Sequence, residues 1–539
     1  MESKEVLGRT VFFLALCAFV AVFTHLFGDE NSLIGVMVVV MALMLLSRDL
    51  SDRPAVNCLG MVAVSVCLGL GAFVSVTDPF VGLAVNIATV LVVSYLATDS
   101  MDSPVHFPFL LGYGFLLSSP VSAEGLPVRL LALAVGSVLA VGLNVALGRG
   151  RLDSAFRGTL SECLPVLAEC GDLGASGRDR DVGPVYSACD RVDRMVCARG
   201  TVTEHGASMM ECTAELRCMA HWISTSCDVV ELAAASSALR GLVDGDHGGT
   251  GCVRVDSLGK RIDAVLEGDA SCSGARVDTG PHALDAGRMS FAVRMALLFS
   301  FWAFLWQYWD EENAKWLVFT TVALVQPYSD GAGRKSVMRV TGTLVGTAVF
   351  IVFLVLSGGD GTAMVATLLF ANYLNTVLDP DRYDVSMAFI TFSALAVSSM
   401  ADPSSAPVLE RVAFILLGVV SAMAANHLLL PLRRSDRVTR TSAACHASSV
   451  SLATGPADVS DAGSRRRFVE ARRTWSRIPV PDCTECSRFC HLQSMVSSHY
   501  AAHGYLSGTA PDDRTAVLMR DWVSEGRSIV VAAMTRGLP

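Results

Sequence analysis

The sequence predicts an all-α integral membrane protein, built as two parallel repeats of about six transmembrane helices with cytoplasmic helical domains. Three observations carry that expectation. Twelve apolar runs divide evenly between the two halves of the chain. Lys and Arg gather on one side of the implied membrane. A series of residues recurs in the second half at a nearly constant offset.

The composition agrees with a membrane chain. Of 539 residues, 52% are hydrophobic and only 17% charged, with a mean hydropathy of +0.47. A soluble domain carries about 25% charge. The net charge of -9 gives no basic footprint, so nucleic acid is not an expected partner. A helix needs about 20 apolar residues to cross a bilayer, with about 17–25 tolerated. Runs near 10–27, 32–47, 55–76, 80–97, 105–121 and 127–148 meet or approach this in the first half. Those near 289–309, 315–328, 338–357, 362–378, 385–400 and 409–431 do so in the second. The runs at 32–47 and 315–328 are short and need tilt or flanking residues.

Orientation follows from the basic residues at span ends. One side receives Lys4, Arg9, Arg48, Arg53, Arg151, Arg288, Arg334, Lys335, Arg339, Arg382, Arg433 and Arg434, and the other only Arg129, Lys315 and Arg411. The first side is therefore expected to be cytoplasmic, with both termini and the polar segments at 149–286 and 433–539. Most of the 16 cysteines lie in those segments, nine between Cys163 and Cys272 and four between Cys445 and Cys490. Cytoplasmic thiols stay reduced, so a disulfide framework is not expected.

Duplication shows in spacing. Arg129, Gly136 and Asn144 match Arg411, Gly418 and Asn426 at an offset of 282, and Gly60 matches Gly342 likewise. Tyr95-Leu96 matches Tyr373-Leu374 at 278, and Ser118-Ser119 matches Ser398-Ser399 at 280. An even number of spans per half makes the repeat parallel. The expected domains are 1–150, first membrane repeat; 151–286, helical domain; 287–432, second membrane repeat; and 433–539, helical tail. Helical stretches are predicted near 154–171, 185–199, 207–224, 228–243 and 253–267, and in the tail near 463–476, 484–506 and 512–534.

The second half contains Trp316, then Gln326-Pro327, Arg334, and Arg339-Val340-Thr341-Gly342-Thr343-Leu344-Val345-Gly346. This pattern resembles the fusaric acid resistance family, which includes bacterial aromatic acid exporters. The family has a tryptophan entering a span, a Gln-Pro pair leaving it, and an Arg-x-x-Gly-Thr-x-x-Gly signature opening the next. Arg411 and Arg129 resemble its arginine near the start of the sixth span. The likeness is strong over 288–432. Over 1–150 Asn57-Cys58-Leu59-Gly60 stands in place of the signature, without its arginine. The resemblance implies a multi-pass protein of the bacterial inner membrane that exports small organic anions, in contact with the lipid bilayer. A homo-oligomer or a periplasmic adaptor is a further expected partner. Two other functions stay open, a membrane scaffold maintaining the envelope and a passive anion channel.

The substrate path is expected among Arg294, Arg339, Asn372, Tyr373, Asn375, Arg411 and Asn426. Each also has a plainer role. Arg339 at a span entrance fits a snorkelling anchor as well as a carboxylate-binding fork. Arg294 lies within an otherwise apolar run and fits either an anchor or a cavity-facing cation. The amides, including Asn86 and Asn144, fit interhelical hydrogen bonds. His427 fits a solvated helix end or a proton relay. Gly342 and Gly346, extended by Thr343 and Thr347, form a close-packing face, and Gly418 joins them in packing. Trp302, Trp306, Tyr308, Trp309 and Trp316 fit an aromatic belt or an aromatic exit. Cys483, Cys486, Cys490 and His491 fit buried thiols better than zinc, because no second pair stands at finger spacing. No metal, no cofactor and no enzymatic step are expected: neither a phosphate loop nor a nucleophile–base constellation is present. Active transport would then draw on an ion gradient, protons foremost.

Overall fold

The computed structural model describes residues 3–45, 50, 54–98, 106–148, 150, 151–176, 181–198, 202–244, 252–267, 286–309, 314–329, 332–358, 360–377, 383–401, 406–432, 444, 447–448, 451 and 462–476. Each of the twelve apolar runs is a helix. The first half forms α1 (Ser3–Phe27), α2 (Ser32–Leu45), α3 (Pro54–Ser75), α4 (Pro79–Leu96), α5 (His106–Ser118) and α6 (Leu126–Gly148). The second half forms α12 (Ala286–Trp309), α13 (Lys315–Leu324), α14 (Ala332–Ser357), α15 (Gly361–Val377), α16 (Tyr383–Ala401) and α17 (Ala406–Leu428). No strand occurs among the described residues. Six of these helices are long and apolar enough to cross a membrane: α1, α3, α4, α6, α12 and α14. The chain is a multi-pass, all-α membrane protein.

Local chemistry sets the boundaries. Asp78 caps α4, its side chain accepting from the Phe80 and Val81 amides, with Pro79 at the first helical position. Pro327 stops α13 early. Proline has no amide hydrogen and clashes with the carbonyl four residues back, so it cannot continue a helix, and the chain has already left the helix at Val325 (ψ 114°). Ten helical residues rise about 15 Å at about 1.5 Å each, half of a hydrocarbon core about 30 Å thick. The rest of that crossing runs as unwound chain through Val325–Ser329. Glycine is required where helices meet. A Cβ at Gly342 would sit 2.7 Å from Met387 Cβ on α16, and one at Gly418 2.9 Å from Thr320 Cβ on α13.

The two membrane halves form one compact unit, and the remaining described helices form another. The second unit comprises α7 (Arg151–Ala175), α8 (Gly183–Ala198), α9 (Glu204–Thr225), α10 (Val229–Val243), α11 (Val253–Glu267) and, from beyond the second membrane half, α18 (Ala462–Ser476). Phe156, Leu167, Met210, Ile223 and Phe468 fill its core. The expected helices near 484–506 and 512–534, and the Cys483, Cys486, Cys490 and His491 set, lie outside the described residues.

A largely buried ionic cluster joins α8, α9 and α18. Asp193 accepts from Thr213 Oγ1 (2.7 Å), Arg472 Nε (3.0 Å) and Arg217 Nη2 (2.9 Å), and Arg217 also reaches Asp190 at 2.7 Å. Burial alone would push the Asp193 carboxyl up, but Arg217 and Arg472 outweigh it and hold the group below the usual carboxylate value. The buried cysteines are the opposite case. Cys163, Cys189, Cys212 and Cys218 are free thiols, and burial pushes Cys218 up to about 12.

Two predictions follow from this unit. Asp193→Asn removes the carboxylate that two buried guanidinium groups share and should cost up to about 3–5 kcal/mol, less whatever the remaining Arg217–Asp190 pair retains, read as a fall in the Tm of this unit. Because the folded carboxyl is depressed, its contribution is complete above the unfolded value near about 3.9 and lost as pH falls through the folded value. The gap between the wild type and the variant should therefore close in acid. An alkylating agent should modify exposed Cys227 in the native protein and spare Cys189, Cys212 and Cys218 until denaturant is added, by peptide mass spectrometry.

Candidate functional site

The unwound stretch after α13 is where backbone chemistry is most demanding. At membrane depth, non-helical backbone persists only where it is buried in protein or lines a cavity. Two side chains from neighbouring helices satisfy it. Arg294 on α12 donates from Nη2 to the Gln326 carbonyl (2.8 Å) and the Pro327 carbonyl (3.0 Å), and from Nη1 to the Asn426 carbonyl (3.4 Å). Asn426 on α17 donates from Nδ2 to the Leu324 carbonyl (3.0 Å) and accepts from the Gln326 amide (3.3 Å). Ser329 then donates its amide to the Leu432 carbonyl (3.0 Å). Arg294 and Asn426 are fully buried. The guanidinium is not exhausted: Arg294 Nε is buried without a partner. Every described acceptor around Arg294 is a neutral carbonyl, so the group can also receive an anion.

The first half handles its own helix ends with the same residue types. Asn144 on α6 donates to the Leu45 carbonyl at the end of α2 (2.6 Å). Arg129, also on α6, gathers the Asn31 side chain (3.0 Å) and the carbonyls of Glu30 (2.8 Å) and Ser119.

The other expected site residues are distributed over three further places. Arg339 on α14 approaches the Met387 sulfur at 2.9 Å, and its Nε is buried without a partner. Asn372 on α15 donates to the Leu368 carbonyl (2.9 Å) and to Ser393 Oγ on α16 (3.1 Å). Tyr373 meets Thr10 Oγ1 on α1 at 3.0 Å and packs edge-on against Phe13. Asn375 has a buried, unpartnered Oδ1. The Arg411 side chain lies outside the described residues. Arg294, Arg339 and Asn372 thus have no hydrogen-bond partner in common among the described contacts. A cavity of about 430 Å³ lies between α14, α15 and α16. It is lined by Phe370, Phe389 and Phe392, reaches Asp384, and touches Gly342 and Gly346. Thr343 is buried away from it.

Among the remaining polar groups, Asn86 accepts from Ser75 Oγ (3.0 Å) and Tyr113 Oη (2.7 Å), tying α3, α4 and α5 together. His427 is exposed beside Asn426. Trp302 turns inward to Ser421 Oγ (3.2 Å), whereas Tyr308 and Trp309 are exposed. The sequence reading missed that Gln326-Pro327 is the acceptor of Arg294. The signal was present in the Gln-Pro pair breaking a run too short to span.

Asn426→Leu removes a donor and an acceptor from a buried helix end. It should cost about 1–3 kcal/mol by the soluble-protein scale, and nearer about 0.6 if membrane amides follow measured interhelical averages. Thermal unfolding in detergent distinguishes these values.

No curated protein and no solved structure matches this chain. One family model does match, over residues 296–425, from the middle of α12 to the last turn of α17. The model that this stretch of the second membrane half matches is described as fusaric acid resistance protein-like.

Proposed function

We propose that this protein is a secondary transporter that exports small organic acids, aromatic carboxylates foremost, from the cytoplasm across a bacterial inner membrane. Both termini lie inside the cell, the proton gradient drives export, and no covalent chemistry takes place. The observation that carries this reading is Arg294, a buried guanidinium at the break of α13 with one N–H unclaimed. In secondary transporters, discontinuous helices commonly line the binding site, here within the second half, and an arginine fork suits a carboxylate. The domain match supports the class of protein, since resistance to an organic acid is most directly achieved by removing it. The phenylalanine-lined cavity beside α14 offers a separate apolar surface for a ring.

A second reading, a membrane scaffold, is favoured by one observation. Arg472 locks α18 into the helices α7–α11, making a sizeable helical body of segments separated by a whole membrane half. A passive anion channel would use the same Arg294 and would carry current independent of pH.

The test is an efflux assay of a panel of aromatic acids in cells with and without the protein. Arg294→Lys and Arg294→Met are compared at equal membrane abundance. The wild type should lower intracellular acid, the lysine variant should retain part of that effect, and the methionine variant should lose it. No change for any acid in the panel sinks the transport reading, and full activity of Arg294→Met favours the scaffold.

A further inference from the structure

Two contacts between the membrane halves mirror each other. Arg9, which follows Gly8 at the start of α1, donates to the Val377 carbonyl at the end of α15 (2.7 Å). Arg288, which follows Gly287 at the start of α12, donates to the Tyr95 carbonyl at the end of α4 (2.6 Å) and stacks over the Tyr95 ring at 4.6 Å. Thus the first helix of each half meets the fourth helix of the other half, antiparallel, through a Gly-Arg pair. Val377 and Tyr95 stand 282 residues apart and Arg288 and Arg9 279 apart, so the two contacts match to within one turn.

The two interfaces differ beyond that shared start. The α12·α4 contact continues to the far ends of both helices, where Phe304 meets Phe80 at 5.3 Å. The described α1·α15 contacts stay near the arginine, at Arg9, Thr10 and Phe13 against Val377 and Tyr373. The helical period continues that α1 face through Cys17, Val20 and Thr24. The matching face of α15 continues outward through Leu369, Ala366 and Thr362. Aligned on the Gly-Arg pairs, the α1 stripe corresponds to Ala292, Ala296, Phe299 and Ala303 on α12, all buried. On the α1·α15 side the α15 surface stands open, with Leu369 51% and Phe370 57% exposed, and Cys17, Val20 and Thr24 on α1 are half-buried. The apolar window of α1 is 6% buried and that of α12 50%.

We propose that the halves are related by a pseudo-twofold axis, and that α1·α15 is the open counterpart of α12·α4 which closes along its length. In the closed form, Cys17 faces Leu369, Val20 faces Ala366 and Thr24 faces Thr362, with Arg9 as the fixed end. The occupant of the exposed α15 stripe is α1 itself, because the equivalent stripe on the other side is already covered by the equivalent helix. Closure exchanges helix–lipid contacts for close helix–helix packing without breaking the Arg9 bond.

Disulfide formation in native membranes tests this in the full-length protein. All variants carry Cys17→Ser and a protease site in the segment between α11 and α12. After oxidation and cleavage, an α1–α15 disulfide shows as fragments held together on a non-reducing gel beyond the level given by the Cys17→Ser parent, whose remaining native cysteines set the background. Phe13→Cys with Tyr373→Cys, already in contact, should join. Thr24→Cys with Thr362→Cys should also join if the face zips up. Val22→Cys with Thr362→Cys should not, because Val22 lies half a turn round α1 from Phe13. Failure of the Thr24 pair while the Phe13 pair joins overturns closure, as does equal joining of the Val22 pair. Failure of the Phe13 pair removes the contact on which closure turns and overturns it too. The gel reads helix movement alone, so a failed efflux assay would sink the transport reading and leave this result standing.

Discussion

A peptide group in hydrocarbon has no water to bond, and the second membrane half is organised around one place where that requirement is acute. Pro327 leaves α13 about half the length of a crossing, exposing the carbonyls of Leu324, Gln326 and Pro327. Arg294 from α12 and Asn426 from α17 take all three. Three helices are therefore fixed around a single break. Gly418 belongs to the same constraint. Two turns before Asn426 on α17, it lets that helix approach Thr320 on α13 closely enough for the amide to reach. A substituent there would separate α17 from α13 and leave the carbonyls bare.

The first half meets a milder form of the problem. Asn144 takes the end of α2, and Gly136, two turns earlier on α6, lets Val38 come close. The pairing of glycine and asparagine on the sixth helix against the second is thus the same in both halves: Gly136 with Val38 and Gly418 with Thr320, each 282 residues apart. The halves differ in what stands on the first helix. Arg294 has no cation opposite it on α1, and α1 is left largely uncovered where α12 is enclosed.

Much of the membrane architecture was legible in the sequence because hydropathy is a property of continuous segments. Twelve apolar runs became twelve helices, and the Gly342–Gly346 spacing lies where α14 meets α16. What the sequence could not show was pairing. Arg9 and Arg288 read as charges at span ends, and nothing in their neighbours indicates that they donate to carbonyls of the opposite half. Arg217, Asp193 and Arg472 sit in polar segments where most charges face water. Their complete burial depends on α18 packing against helices about 280 residues earlier, which no local period encodes. The candidate path residues suffered the same limit, since one spacing pattern serves Asn372, bound to Ser393, and Asn426, bound to a broken helix.

The two kinds of buried arginine lead to different chemistry. In the helical unit, Arg217 faces two carboxylates and Arg472 shares one of them, so the charge there is largely balanced and the cluster serves structure. In the membrane unit, Arg294 faces only peptide oxygens among the described residues. The end of α13 presents the equivalent of about −0.5 charge through those carbonyls, which offsets roughly half of a guanidinium. A net positive potential remains in a medium where charges are weakly screened. Such a site is costly unless something repays it. A carboxylate arriving at the unclaimed Nε would do so, and it would bind most strongly where the protein supplies no carboxylate of its own. Among the described residues Arg294 has only carbonyl partners where Arg217 has carboxylates, and that contrast is what the proposed anion site at the break of α13 rests on.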